Sequence, residues 1–224
     1  MRVVELSGEY AKAVPLTNYC KQPISKIFAR NIEQKIALNF LMDPDIDLVV
    51  LLGAAGTGKT LLALAAGLEQ SGRGGVYEGI SATRAPVPFG EDIGFLPGTA
   101  EEKTEPWMGA FTDNMRALGS ASEITTIPFP YLRGRTFTGE YLIVDEVQNL
   151  TRHQIRTVIT RAGEGTKVVC LGNLKQIDTP YLTEADSGLT YLVEKLKSCK
   201  HAAHVILQEG VRSRLAEWAN QALV

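Results

Sequence analysis

The sequence predicts an α/β protein, with a mainly parallel sheet of five or more strands covered by helices on both faces. Three observations predict it. Short apolar, β-branched runs alternate with helical periodicity along most of the chain. A glycine-rich turn, Gly53-Ala54-Ala55-Gly56-Thr57-Gly58-Lys59-Thr60, falls between one such run and a helix. A later run, Tyr141-Leu142-Ile143-Val144, ends in the acidic pair Asp145-Glu146. Strands joined by crossover helices are buried on both faces, so they read as continuous apolar stretches.

Residues 1–29 contain Gly8, Pro15 and Pro23 and read as an irregular or partly extended lead-in to a domain over 30–224. Ile32, Ile36, Ala37, Phe40 and Leu41 recur at helical spacing, predicting a helix over 31–42 that ends near Pro44. Ile46 to Leu52 reads as a buried strand, Lys59 to Gln70 as a helix stopped by Gly72, and Val76 to Ala82 as a second strand. Residues 84–106 are rich in glycine, proline and acids, and too long for a passive connection. A helix over 107–119 and the strand Tyr141–Val144 follow. Thr151 opens a helix to about Ala162, with Gln154 placed to complete a capping box. The rest reads as a strand (Thr166–Leu171), a helix (Asp186–Cys199), a strand (His204–Leu207) and a closing helix (Ser213–Leu223).

Composition narrows the function classes. The 224 residues are 45% hydrophobic and 21% charged, ordinary values for a globular chain. A net charge of −2 argues against a broadly basic nucleic-acid surface, though not against a local basic patch. Three widely spaced cysteines form neither a disulfide framework nor a metal knuckle, and they fit a reducing compartment. No apolar run approaches the ~20 residues of a membrane span, and the N-terminus lacks an export signal. The expectation is a cytoplasmic protein without membrane association.

The turn at 53–60 matches GxxxxGK[ST], the phosphate-binding loop. Its glycines let backbone N–H groups converge on a phosphate, and the following helix adds the positive end of its dipole. Gly53, Ala54, Ala55, Gly56, Thr57 and Gly58 would line that cradle. Lys59 would reach the β- and γ-phosphates, and Thr60 would hold Mg²⁺. The motif ends there, and the next residue, Leu61, is assigned no role in binding. Asp145, at the end of its strand, would bind the same ion through water. Glu146 would orient or deprotonate the attacking water. The acidic pair together favours hydrolysis over a small-molecule kinase.

Other positions admit two readings. Gly172-Asn173-Leu174-Lys175-Gln176 follows a strand, where ligands bind in open α/β sheets, so Asn173 and Gln176 could contact γ-phosphate or water. Equally, Gly and Asn there suit a turn. Gln34 could read adenine through its amide, or complete a capping box with Asn31. Arg84 could bind phosphate or be a surface arginine. Arg133, Arg135, Arg152, Arg156 and Arg161 could form a nucleic-acid strip with Phe129 and Tyr131 stacking on bases, or a solvated face. Arg212 and Arg214, at the start of the closing helix with Ser213 as its cap, could supply an arginine finger or merely pair with Glu209 or Glu217.

On these segments the chain resembles the PhoH family of P-loop ATPases. The resemblance is carried by Ala29 to Gln34, the phosphate loop, Gly90-Glu91-Asp92-Ile93-Gly94-Phe95-Leu96-Pro97-Gly98, Val144 to Leu150, Gly172 to Pro180, and Gly210 to Leu215. It is most similar to the subgroup in which this domain follows a PIN-type nuclease domain, so the chain is expected to be an excised C-terminal half or a stand-alone protein. The resemblance implies a RecA-like core related to superfamily 1 helicases and ATP hydrolysis with Mg²⁺. It also implies a role in RNA metabolism with single-stranded RNA as partner, and a ring-like, often hexameric, homo-oligomer. A PIN nuclease domain in cis or trans is a further implied partner. Gln34 matches the family's adenine-contacting glutamine. Ala85 stands where the pattern has proline, and Asn173 where many relatives have aspartate. Room for a single RecA-like domain argues against unwinding by a monomer. The leading expectation is an RNA-coupled ATPase; the alternative is a nucleotide-dependent switch or assembly module with slow hydrolysis and no RNA.

Overall fold

The computed structural model describes residues 2–7, 10–72, 74–86, 100–120 and 122–210. The chain opens with an antiparallel hairpin of β1 (Arg2–Ser7) and β2 (Tyr10–Val14), so the extended part of the irregular or partly extended lead-in expected over 1–29 is paired. A glycine in a two-residue connection between short runs is a hairpin signal that Pro15 and Pro23 obscured.

From residue 32 strands and helices alternate as expected. α1 (Ile32–Met42), β3 (Leu48–Gly53), α2 (Lys59–Gln70) and β4 (Gly79–Arg84) come first. They are followed by α3 (Ala100–Leu118), β5 (Thr125–Thr126) and β6 (Glu140–Asp145). The last are α4 (Arg152–Ile159), β7 (Lys167–Gly172), α5 (Gly188–Leu196) and β8 (Ala202–Leu207). The six strands β3–β8 form one parallel sheet in the order β5-β4-β6-β7-β3-β8. β7 therefore separates the phosphate-loop strand β3 from the acidic strand β6, the order of RecA-like P-loop folds.

The pleat sorts the core into two layers. Val49, Leu51, Tyr141, Ile143, Val169 and Leu171 point to α1, α2 and α3, where Leu38, Leu41, Leu64 and Phe111 meet them. Their neighbours Val50, Leu142, Val144, Val168 and Cys170 point to the opposite face, covered by Ile155 and Val158 of α4 and Leu189 and Leu192 of α5. The result is the expected three-layer sandwich. Burial pushes the Cys170 thiol up to about 12, so it behaves as a small apolar side chain.

Several boundaries differ from expectation. β4 begins at Gly79, because Tyr77 first bonds back to Gln70 at the end of α2 and leaves Val76 exposed. α3 begins at Ala100 and runs through Pro106, carried by Ala, Glu and Lys, whose propensity a search for apolar periodicity does not register. α4 ends at Ile159, its last turn tightening to Ala162 N–H on the Ile159 carbonyl. α5, expected over Asp186–Cys199, spans Gly188–Leu196 with Ser187 as its cap, and β8 starts two residues earlier than expected, at Ala202. Two-residue β5 is too short to signal in sequence. The expected helix over 213–223 lies outside the described residues, as does most of the 84–106 loop.

At the N-terminal edge of the sheet, Lys167 is 1% exposed and donates to the carbonyls of Leu41 (2.9 Å) and Asp43 (2.7 Å), closing the C-terminal end of α1. Burial lowers its pKa to about 8, against the pull of Asp47.

Candidate active site

The site lies at the C-terminal edge of the sheet, where β3, β6 and β7 end side by side. β3 delivers Gly53 against β8 so closely that a Cβ there would sit 2.5 Å from the Leu207 carbonyl oxygen, so only glycine fits. Gly56 and Gly58 turn the loop with φ of 81° and 91°, a left-handed conformation open to glycine. Thr57, fully buried, ties the loop to itself through Oγ1 on the Ala54 carbonyl (2.9 Å). Lys59 folds back over the loop, Nζ donating to the carbonyls of Gly53 (2.6 Å) and Ala54 (3.0 Å). Burial lowers the Lys59 pKa, while Asp145 and Glu146 oppose the shift.

A cavity of about 250 Å³ opens above the loop, and Lys59, Thr60, Asp145, Glu146, Asn173 and Gln176 all reach its wall. Leu61, given no role in the motif, also borders this cavity while packing against the core beneath α2. It brings no polar group, so its part is to shape the wall rather than to bind phosphate or metal. The phosphate loop, the acidic pair and the residues after β7 were separate in sequence; the fold brings them to one place. Asp145 is 6% exposed, and its Oδ1 accepts the Glu146 N–H at 3.0 Å. Burial, and then Glu146, raise its carboxyl to about 6, against Arg84, that N–H bond and Lys59. A buried carboxylate and a threonine hydroxyl on the wall of one cavity are hard-oxygen donors of the kind Mg²⁺ takes, so the residues present fit the ion.

Glu146 adopts a left-handed conformation, φ 55° and ψ 36°, rare for a side-chain-bearing residue and costing about 1–3 kcal/mol. Its carboxylate has partners on both oxygens. Arg84 Nη2 donates to Oε1 at 2.9 Å, and Gln148 Nε2 donates to Oε2. Arg84 is therefore no idle surface arginine; it holds the candidate base.

Gln148 is a residue whose role the sequence reading did not identify. It is fully buried, and besides Glu146 it donates to the Gln176 carbonyl (2.9 Å) and accepts the Asn173 N–H on Oε1 (3.0 Å). It thus links the acidic strand to the loop after β7. The polar pair Gln148-Asn149 between apolar Val147 and Leu150, just past an acidic pair, was the available signal. Within the loop, Asn173 Nδ2 donates to Gln176 Oε1 at 2.8 Å, so these two side chains are mutually tied.

Gln34 is 5% exposed. Asn31 caps α1 as expected, accepting the Gln34 N–H at 2.8 Å. The reciprocal half of the capping box does not form. Gln34 Oε1 instead accepts the Arg30 N–H (2.9 Å), and Nε2 donates to the Thr57 carbonyl (3.1 Å). The glutamine reaches past its own cap because the phosphate loop packs directly on it. Its neighbour Glu33 accepts the N–H groups of Gln208 (2.6 Å) and Glu209 (3.4 Å) on Oε2. The start of α1 therefore joins the loop to the chain leaving β8.

Two of the five arginines of the candidate strip, Arg152 and Arg133, meet different surroundings. Arg152 turns to α5, 3.7 Å from Asp186 and 5.6 Å from the Tyr191 ring centre. Arg133 instead borders a separate cleft with Phe129. Arg212 and Arg214, and the Gly90–Gly98 segment, lie outside the described residues. Among the described residues no helix is long and apolar enough to cross a membrane.

The sequence has known relatives. The family profile described as PhoH-like protein matches residues 26–224. Protein PhoH2 of Bacillus subtilis is 45% identical over 203 residues, covering 85% of this chain and 46% of its own length. Protein PhoH2 of Mycolicibacterium smegmatis is 35% identical over 204 residues, covering 87% of this chain and 46% of its own. The chain thus spans about half the length of these curated relatives. A crystal structure of a Bacteroides Pif1 helicase with ADP-AlF3 and ssDNA aligns over 87% of this chain and 45% of its own, at 16% identity and a TM-score of 0.46.

Proposed function

The chain belongs to the PhoH-like protein family, and from that membership we propose that it binds ATP with Mg²⁺ and hydrolyses it, with turnover coupled to single-stranded RNA. One observation carries the reading: Lys59 and Thr60, which open α2 after β3, and Asp145 and Glu146, at the end of β6, converge on a single cavity although β3 and β6 are not neighbours.

The roles follow from position. The N–H groups of the 53–60 loop and the N-terminus of α2 would receive the β-phosphate. Lys59 would exchange the Gly53 and Ala54 carbonyls for β- and γ-phosphate oxygens. Thr60 and Asp145 would hold Mg²⁺, which when bound neutralises charge on those oxygens. Glu146 would take a proton from the water whose oxygen attacks the γ-phosphorus as the bond to the β-phosphate oxygen breaks. Asn173 and Gln176 face the same space and would orient that water. Arg212 or Arg214 as a finger, a ring of subunits, and a PIN-type nuclease partner belong to the same proposal and rest on the family resemblance.

A slow nucleotide switch is the second reading, and the ion pair of Glu146 with Arg84 favours it, since a carboxylate paired with a guanidinium is a weaker base towards water. Steady-state ATP hydrolysis with and without single-stranded RNA separates the two. Coupling predicts a several-fold rise in turnover with RNA; slow hydrolysis indifferent to RNA would establish the switch instead.

Gln34 gives a further expected result. Replacing it by alanine should raise KM for ATP more than for GTP, by the equivalent of about 1–3 kcal/mol of lost hydrogen bonding. Unchanged selectivity with a lowered melting temperature would restrict Gln34 to bracing Thr57.

A further inference from the structure

A second cleft, of about 370 Å³, lies beside the first and takes no part in the chemistry above. Its floor and walls come from Pro86, which follows β4, from the turn Phe129–Leu132 with Arg133 after β5, and from Gln154, Thr157 and Val158 of α4. The volume falls within the range of small-ligand pockets, and the lining is mainly apolar and ring-shaped with a few polar groups at the edge. Tyr131, in the same turn, is 55% exposed.

Charge sets this place apart from the rest of the molecule. Arg133 borders the cleft itself, and the two segments its lining residues belong to, 127–139 and 151–162, carry four more arginines, one histidine and no acidic residue, in a chain of net charge −2. Arg152 among them turns to an acidic partner on α5, Asp186. Apolar rings beside an arginine, with no carboxylate in the lining and further arginines on the flanking segments, suit unstacked bases on a polyanionic backbone. A peptide docking by apolar contact alone would not need the charge.

The cleft also connects directly to the candidate base. Three consecutive residues span the distance. Pro86 lines the cleft, the Ala85 N–H donates to the Asp145 carbonyl at 2.9 Å, and Arg84 holds the Glu146 carboxylate. The opposite wall, α4, begins six residues after Glu146, with its N-cap Thr151 following the turn that carries Gln148. Moving Pro86 pulls on Arg84, and moving α4 pulls on the turn that carries Gln148, the two partners of Glu146 named above.

We propose that this cleft seats one or two bases of a single-stranded nucleic acid, and that its occupancy is transmitted to Glu146 through Arg84-Ala85-Pro86. This deepens the RNA-coupled reading by giving the strand a place, and it rests on that reading for the coupling but not for the binding.

The test uses the full chain and fluorescein-labelled oligo-uridine and oligo-thymidine of ~12 nucleotides, read by anisotropy at several salt concentrations. Thr157→Trp fills the cleft from α4, and Arg133→Gln removes its bordering charge from an exposed loop where folding is not at stake. Thr157→Trp should weaken binding by about tenfold or more, the range of one or two lost stacking contacts. Arg133→Gln should weaken it a few-fold and lower the salt slope by about one. Tighter wild-type binding of oligo-uridine than of oligo-thymidine assigns the site to RNA; equal binding assigns it to either strand. Basal ATP hydrolysis by Thr157→Trp should stay within about twofold of wild type, with RNA stimulation lost. Wild-type affinity in both variants would overturn the proposal and leave the cleft to a protein partner. Loss of oligonucleotide binding in a chain that hydrolyses no ATP would keep the cleft and sink the ATPase reading, so the two failures are distinguishable.

Discussion

Lys59→Ala is expected to abolish tight ATP binding, whereas Glu146→Gln is expected to bind ATP as wild type and turn it over at least about a hundredfold more slowly. The difference follows from what each group touches. Lys59 already donates to two carbonyls at the mouth of its loop, so an incoming phosphate exchanges neutral acceptors for charged ones. Charge-assisted hydrogen bonds contribute about 1.5–3 kcal/mol, which makes a loss of about ten- to a hundredfold in affinity the expected scale. Glutamine at 146 preserves shape and still accepts from Arg84 through Oε1, while its Nε2 faces the Gln148 donor and loses that one bond, so nucleotide binding should be kept. It cannot take a proton from water, and positioned bases contribute about 10²–10⁴ in rate. Equilibrium binding of a labelled ATP analogue together with steady-state phosphate release checks both. Wild-type turnover by Glu146→Gln would remove Glu146 from the chemistry.

The second large effect is expected at Gln148. Replacing it with leucine keeps the volume but strips the Glu146 carboxylate of one partner and leaves the Asn173 N–H and the Gln176 carbonyl without theirs. An orphaned buried polar group costs about 1–3 kcal/mol, so the melting temperature should fall by several degrees. The kcat for ATP should fall by about ten- to a hundredfold, because the base and the loop after β7 lose their common brace, while KM changes little. Gln148→Glu tests the geometry separately. It restores length but sets a second carboxylate against Glu146, and should rescue neither stability nor kcat. A stability loss with kcat unchanged would make Gln148 a packing residue only.

Much of this was legible in the sequence, for identifiable reasons. The phosphate loop announces itself because backbone N–H convergence needs glycine at fixed spacing, and α2 begins at Lys59 as the motif requires. Thr151 and Gln154 form the expected capping box, since that signal is local and complete within four residues. What sequence could not show is which distant groups meet. Arg84 and Glu146 are 62 positions apart, and Gln148 meets Asn173 25 positions away, through a parallel register that no local pattern encodes. Gln34 illustrates the intermediate case. Its spacing from Asn31 allowed either a reciprocal capping bond or an adenine contact, and tertiary proximity of the phosphate loop turns its amide to Thr57. β5 escaped because two exposed threonines carry neither alternation nor burial.

The most direct test of the central claim is a single-turnover measurement with protein in excess over [γ-³²P]ATP, quenched in acid over time, with Mg²⁺ and with EDTA. If Lys59, Thr60, Asp145 and Glu146 form one hydrolytic site, bound ATP releases its labelled phosphate in a single phase that requires Mg²⁺ and disappears in Glu146→Gln. ATP that binds in the presence of Mg²⁺ yet stays intact over many hours, with or without single-stranded RNA, would contradict it.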